Sequence, residues 1–143
     1  MSKLLNISDA ASIAFHTMVL LTVSPEELLS TKDMASALNV SEAHLAKVLQ
    51  RLAKSGLVRS TRGPKGGFRL EKSADKITLR EVYEAIDGPL VPAECLFASP
   101  VCGGDHCILG GLLESVNDQV SQYLARTRLS ELSEIYGRKH GHG

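Results

Sequence analysis

The chain has 143 residues, 43% of them hydrophobic, with equal numbers of basic and acidic side chains and three cysteines. That length suits one domain with a short appendage, and the apolar fraction is enough for a core, which must be aliphatic because there are only three Phe, three Tyr and no Trp. The N-terminal apolar run is broken by Asp9 and His16, no small-residue cleavage site follows it, and no stretch of about 20 uninterrupted apolar residues is present to span a bilayer, so a cytoplasmic protein with no membrane partner is expected.

Ser8 and Asp9 precede Ile13, Ala14, Met18 and Leu21, an apolar spacing of helical period. Ser24, Pro25 and Glu27 then form a capping-box arrangement, predicting a further turn or short helix. In "TKDMASALNV", Met34, Ala35 and Leu38 share a face and Asn39 suits a helix stop. Ser41 can cap the next helix, "SEAHLAKVLQRLAKSG", where Leu45, Val48, Leu49 and Leu52 make one stripe and Gly56 suits a left-handed close. Two short helices joined by "LNVS" predict a helix-turn-helix. The second helix keeps His44, Lys47, Gln50, Arg51 and Lys54 off its buried stripe, and these residue types reach phosphates and base edges.

"LVRST" and "FRL" read as two strands around "RGPKGG", a two-stranded wing with Arg62 and Lys65 at its tip. A phosphate-binding P-loop is excluded because neither the Gly-Lys-Ser/Thr ending nor a following helix is present. The zero net charge conceals a division that fits this layout. Residues 44–72 hold eight Lys or Arg against one acid, Glu71, a net +7, while residues 1–43 sum to −3 and residues 73–143 to −4. So local an excess points to an anion polymer, double-stranded DNA, with an ordinary solvated face as the alternative.

Thr78 and Glu81 open a helix, "TLREVYEAIDG", that Gly88 and Pro89 close. From Ile108 to about residue 127, the stripe Leu109, Leu112, Leu113, Val116, Val120, Tyr123 and Leu124 predicts a long helix. Pairing with its copy in a homodimer is the favoured use of that stripe, and folding back onto its own domain is the alternative. The tail "GRKHGHG" is expected to be solvated.

Cys95, Cys102 and Cys107 are separated by six and then four intervening residues in a loop with Pro92, Pro100, Gly103 and Gly104. A reducing compartment disfavours a structural disulfide. Structural zinc sites use closer cysteine pairs and four ligands, whereas a wide three-thiol loop suits an iron–sulfur cluster with one non-cysteine ligand. Zinc and bare thiols stay open as alternatives. No serine–histidine–acid set, catalytic carboxylate pair or cofactor loop occurs, so no enzyme is expected.

The helix-turn-helix, the wing "GLVRSTRGPKGGFRL", the helix "ITLREVYEAIDG", the cysteine triad and the long last helix together resemble the IscR/NsrR-type family of bacterial winged-helix regulators, over about residues 5 to 135. The resemblance implies a homodimer that represses or activates transcription at a double-stranded DNA operator, and a 2Fe–2S or 4Fe–4S cluster on Cys95, Cys102 and Cys107 that reports iron, nitric oxide, cluster supply or redox state. It places Ser41, His44 and Lys47 in the recognition helix and Arg62 to Gly67 in the wing. The IscR branch has a histidine three residues after the last cysteine; Gly110 stands there, and His106 is not at the family position. The NsrR branch takes a fourth ligand from an N-terminal aspartate of the partner subunit, a position that Asp9 matches, although Asp9 also suits a helix N-terminus by charge alone. The interval of six residues between the first two cysteines departs from the family's frequent five, His44 stands where Tyr is frequent, and Ala46 lacks a polar group that some relatives have.

The fold class expected is mainly α with a small β-wing. Residues 1–91 form a winged helix-turn-helix DNA-binding domain, 92–107 a cysteine loop, 108–135 a dimerisation helix with a return segment, and 136–143 a disordered tail. The site residues expected are Cys95, Cys102, Cys107 and the partner's Asp9 for a metal cluster, and Ser41, His44, Lys47, Arg51, Lys54, Arg62 and Lys65 for DNA. The alternatives are a metal-free thiol-switch regulator and a zinc or thiol-redox protein that does not bind DNA.

Overall fold

A computed structural model describes residues 7–91, 95, 99, 101–103 and 106–136. The expected tail beyond Tyr136 and most of the cysteine loop fall outside the described residues. The first four α-helices begin where short polar side chains can satisfy the first free N–H groups. Helix α1 (Asp9–Leu21) is capped by Ser8 through Ala11 N–H, α2 (Thr31–Leu38) by Ser30 through Asp33 N–H, and α3 (Glu42–Lys54) by Ser41 through His44 N–H. Helix α4 (Leu79–Asp87) starts with a complete capping box between Thr78 and Glu81. Asn39 ends α2 in the left-handed region at φ 56°, which sets the tight turn into α3.

The expected stripe of α3 is buried: Leu45, Val48, Leu49 and Leu52 join Met18, Leu21, Met34, Ile77, Val82 and Leu129 in one aliphatic core. Helix α1 lies at its centre, packed on α2, α3 and α4. After α3 the chain forms the antiparallel wing, β1 (Val58–Thr61) with β2 (Gly67–Leu70), in the register Val58 opposite Leu70 and Ser60 opposite Phe68. The expected element at Ser24–Glu27 is a turn, closed by Glu27 N–H on the Ser24 carbonyl at 2.9 Å. It delivers Leu29 to the free edge of β2, where Leu29 and Phe68 exchange N–H···O bonds of 3.0 and 2.8 Å. That rung anchors the wing to the helical body, and it explains Gly67, whose Cβ would sit 2.6 Å from the Leu29 carbonyl oxygen.

The last long helix, α5 (Leu112–Arg126), begins four residues later than its apolar pattern suggested. Residues 108–111 form turns instead, with Gly110 at φ +59°. Helix α5 packs on α4, burying Leu113 and Leu124, while Leu112 and Tyr123 on the same stripe stay 48% and 57% exposed. The return segment is stitched to the start of α4: Leu79 N–H bonds the Thr127 carbonyl at 3.0 Å and Leu129 N–H the Ile77 carbonyl at 2.9 Å.

Candidate nucleic-acid interface and cysteine segment

Burying the Leu/Val stripe of α3 fixes which of its residues face outward. His44, Lys47, Gln50, Arg51 and Lys54 are exposed and, with Ala10 and Val48, line a cleft of about 570 Å³. Ser41 is exposed at the N-terminal end, its hydroxyl accepting the His44 N–H at 3.0 Å. Ala46 is half-buried. At the wing tip Gly63 takes φ +119° and its carbonyl accepts the Gly66 N–H at 2.9 Å, a tight turn that leaves Arg62 and Lys65 exposed.

The basic segment is not uniformly free. Arg59 grips Glu71 through two bonds of 3.1 and 2.9 Å, and Lys72 pairs with Glu81 at 3.1 Å. Arg51, expected to meet a phosphate, donates from Nη1 to the Ile86 carbonyl at the end of α4, at 3.0 Å. Lys47, Lys54, Arg62, Lys65 and Arg69 have no ion pair among the described residues. The cations left available are therefore one group on α3, one at the wing tip, and Arg69 on β2.

Cys95, Cys102 and Cys107 are half-buried and none is in a disulfide. His106 is exposed, and its N–H bonds the Gly103 carbonyl at 3.1 Å; the Cys107 carbonyl accepts the Gly110 N–H at 2.9 Å. Among the described residues no group of three His, Cys, Asp or Glu is placed to hold a metal ion, so the three thiols and Asp9 are not brought together as a ligand set within one chain. Asp9 is exposed in the first turn of α1. The capping work there is done by its neighbours: Asp87 accepts the Ser8 hydroxyl at 2.6 Å, and the Ser8 hydroxyl accepts the Ala11 N–H at 3.0 Å. Tyr83, in the same region, has its phenol pKa raised by burial and then by the Asp87 charge.

The unburied part of the α5 stripe borders an apolar groove of about 620 Å³, lined by Phe15, Val19, Val120, Tyr123, Ile135 and Tyr136 among others. Burial also raises the Tyr136 phenol. No described helix is long and apolar enough to cross a membrane.

A capped helix-turn-helix followed by a two-stranded wing, with unpaired cations on both, defines the winged-helix class of DNA-binding regulators. Residues 7–135 match the family described as "Rrf2: Iron-dependent Transcriptional regulator". The chain belongs to the Rrf2 family of transcriptional regulators. It is 33% identical over 116 residues to the HTH-type transcriptional regulator IscR of Escherichia coli K12 / DH10B, covering 77% of this chain and 72% of that one. Its fold is similar to that of CymR, the global cysteine regulator of B. subtilis, with a TM-score of 0.76 and 29% identity over 92% of this chain and 98% of that one. Staphylococcus aureus CymR in its oxidized form is also similar, with a TM-score of 0.70 and 25% identity over 91% of this chain and 97% of that one. These relatives are transcriptional regulators rather than enzymes by name.

Proposed function

We propose that this regulator works as a homodimer on a two-fold DNA operator and that its affinity is set by the state of Cys95, Cys102 and Cys107. The N-terminal end of α3, with Ser41 and His44, reads the major groove. Lys47 and Lys54 on α3 and Arg62 and Lys65 on the wing neutralise phosphates, and Arg62 enters the minor groove. The second copy covers the apolar groove beside α5, where Tyr123 now stands exposed on a helix whose other edge is core. In water such a groove favours burial by its apolar area.

The observation that carries the sensing role is the set of three half-buried, unbridged thiols within thirteen residues, next to the start of α5. The donor chemistry fits an iron–sulfur cluster, 2Fe–2S or 4Fe–4S: Cys95, Cys102 and Cys107 would supply thiolates, and Asp9 from the second copy the remaining ligand. Support for Asp9 lies in its exposed carboxylate, which leaves the capping of α1 to Ser8 and Asp87. When bound, a cluster would supply an inorganic group able to change oxidation state or be lost. The chain's own part is to shield the thiols partly from solvent and to join them to the DNA-binding helices through α4.

A second reading, a metal-free thiol switch, is favoured by the lack of a converged metal-ligand set among the described residues and by the likeness to oxidized CymR. Iron, acid-labile sulfide and the visible absorption spectrum of anaerobically purified protein separate the two. Matching iron and sulfide with a charge-transfer band supports the cluster. Colourless protein that resists reconstitution, yet shifts its DNA affinity on thiol oxidation, replaces it with the switch.

A further inference from the structure

We infer that Arg51 is not a phosphate contact but a positioning residue, which ties the recognition helix to the end of α4. This rests on the reading of α3 as the DNA-binding helix. Arg51 lies in the last turn of α3, and its guanidinium reaches across to the Ile86 carbonyl, 35 residues away in sequence, at 3.0 Å. Ile86 is the penultimate residue of α4, so its carbonyl is among those with no N–H partner inside the helix. The last turn of α4 contains no base of its own; Arg51 supplies from another helix the positive charge and donor that a helix C-terminus favours.

The next residue, Asp87, holds α1: its carboxylate accepts the Ser8 hydroxyl at 2.6 Å and the Ser8 N–H at 3.3 Å. Two consecutive residues at the end of α4 therefore grip α3 on one side and the start of α1 on the other. Immediately after them the chain turns at Gly88, with φ +79°, and runs through Pro89, Leu90 and Val91 toward Cys95. A shift at the end of α4 therefore acts, through Ile86 and Asp87, on both helices that border the basic cleft. An arginine engaged only with DNA would instead leave the Ile86 carbonyl without this donor from α3.

Coupling of this kind is reciprocal, so DNA binding must also quiet the end of α4. The test uses full-length protein and a duplex selected from a random library. Amide hydrogen exchange over residues 79–91 is followed with and without duplex, and the salt dependence of affinity is measured for wild type, Arg51→Met and Lys54→Met. The expected result is that duplex slows exchange over 79–91 in wild type and in Lys54→Met, but not in Arg51→Met. Arg51→Met keeps the wild-type salt slope, whereas Lys54→Met, losing one phosphate contact per subunit of a dimer, loses about 1.8 from it. Arg51→Met that loses the same slope while keeping the exchange response would overturn the inference, as would a wild-type α4 indifferent to duplex. Should Arg51→Met fail to fold, Arg51→Lys gives the same comparison: it keeps the charge for a phosphate but lacks the planar fork, and wild-type behaviour in both readouts would count against the tether. Wild-type protein that binds no duplex refutes the functional reading itself, an outcome distinct from these.

Discussion

Removing the two wing-tip cations, Arg62→Ala with Lys65→Ala, should flatten the salt dependence of DNA binding by a calculable amount. Both side chains are exposed and without an ion pair among the described residues, so their loss leaves the core untouched and stability within about 0.5 kcal/mol. Lys47 and Lys54 are equally unpaired, which makes four cations per subunit on α3 and the wing tip, Arg69 on β2 aside, and eight in a homodimer, if all four meet phosphates. At about 0.9 per phosphate, eight contacts give a slope of log affinity against log salt of about −7, a loss of about 10⁴-fold between 50 and 200 mM salt. The double variant keeps four contacts, so its slope should be about −3.6 and its loss over the same range about 150-fold. Fluorescence anisotropy with a labelled duplex, titrated at five or six salt concentrations, measures both slopes. A variant slope equal to wild type would show that the wing does not meet the backbone, and would refute the assignment however much the absolute affinity fell.

Gly67→Ala places a methyl 2.6 Å from the Leu29 carbonyl oxygen, and because that carbonyl is backbone and the methyl is fixed to Cα, neither can yield cheaply; a loss of about 1–3 kcal/mol is expected by thermal or urea unfolding. Tyr123→Arg puts a charge into the apolar groove and should convert a dimer into monomer in sedimentation experiments, with the helical circular-dichroism signal retained. Asp9→Ala should leave folding intact, since Ser8 and Asp87 cap α1, yet shift the absorption spectrum or shorten the lifetime of a reconstituted cluster. An unchanged spectrum and lifetime would remove Asp9 from the ligand set.

What could be read from the sequence was what local chemistry decides. The caps at Ser41 and Thr78 are decided within three residues, because the capping oxygen and the N–H it accepts belong to one turn. The α3 stripe and the turn between the wing strands carry their periods and glycines openly, so the helix-turn-helix and wing were legible together. The Leu29–Phe68 rung was not: it is a single bridged pair between residues 39 apart, and one residue has no period. Nor was the start of α5, because Leu109, Leu112 and Leu113 continue a helical spacing through a turn that only Gly110 and Gly111 betray. The cation list was legible as composition and not as roles. Arg59, Arg51 and Lys47 look alike in a basic segment, but one is bound to a carboxylate, one to a helix carbonyl, and one to neither. Partners supplied by distant elements decide those differences.

If Cys95, Cys102 and Cys107 govern DNA affinity as proposed, a change in their chemical state alone must change it. Dissociation constants for the same selected duplex, at one salt concentration, are measured for wild-type protein in its anaerobic state as purified and after oxidation, beside a Cys95→Ser, Cys102→Ser, Cys107→Ser variant. Wild-type affinity is expected to change at least about tenfold between the two states, corresponding to about 1.4 kcal/mol, and the triple variant to be indifferent to them. Equal wild-type affinities in both states, or a triple variant that responds as wild type does, would contradict that role of the cysteines.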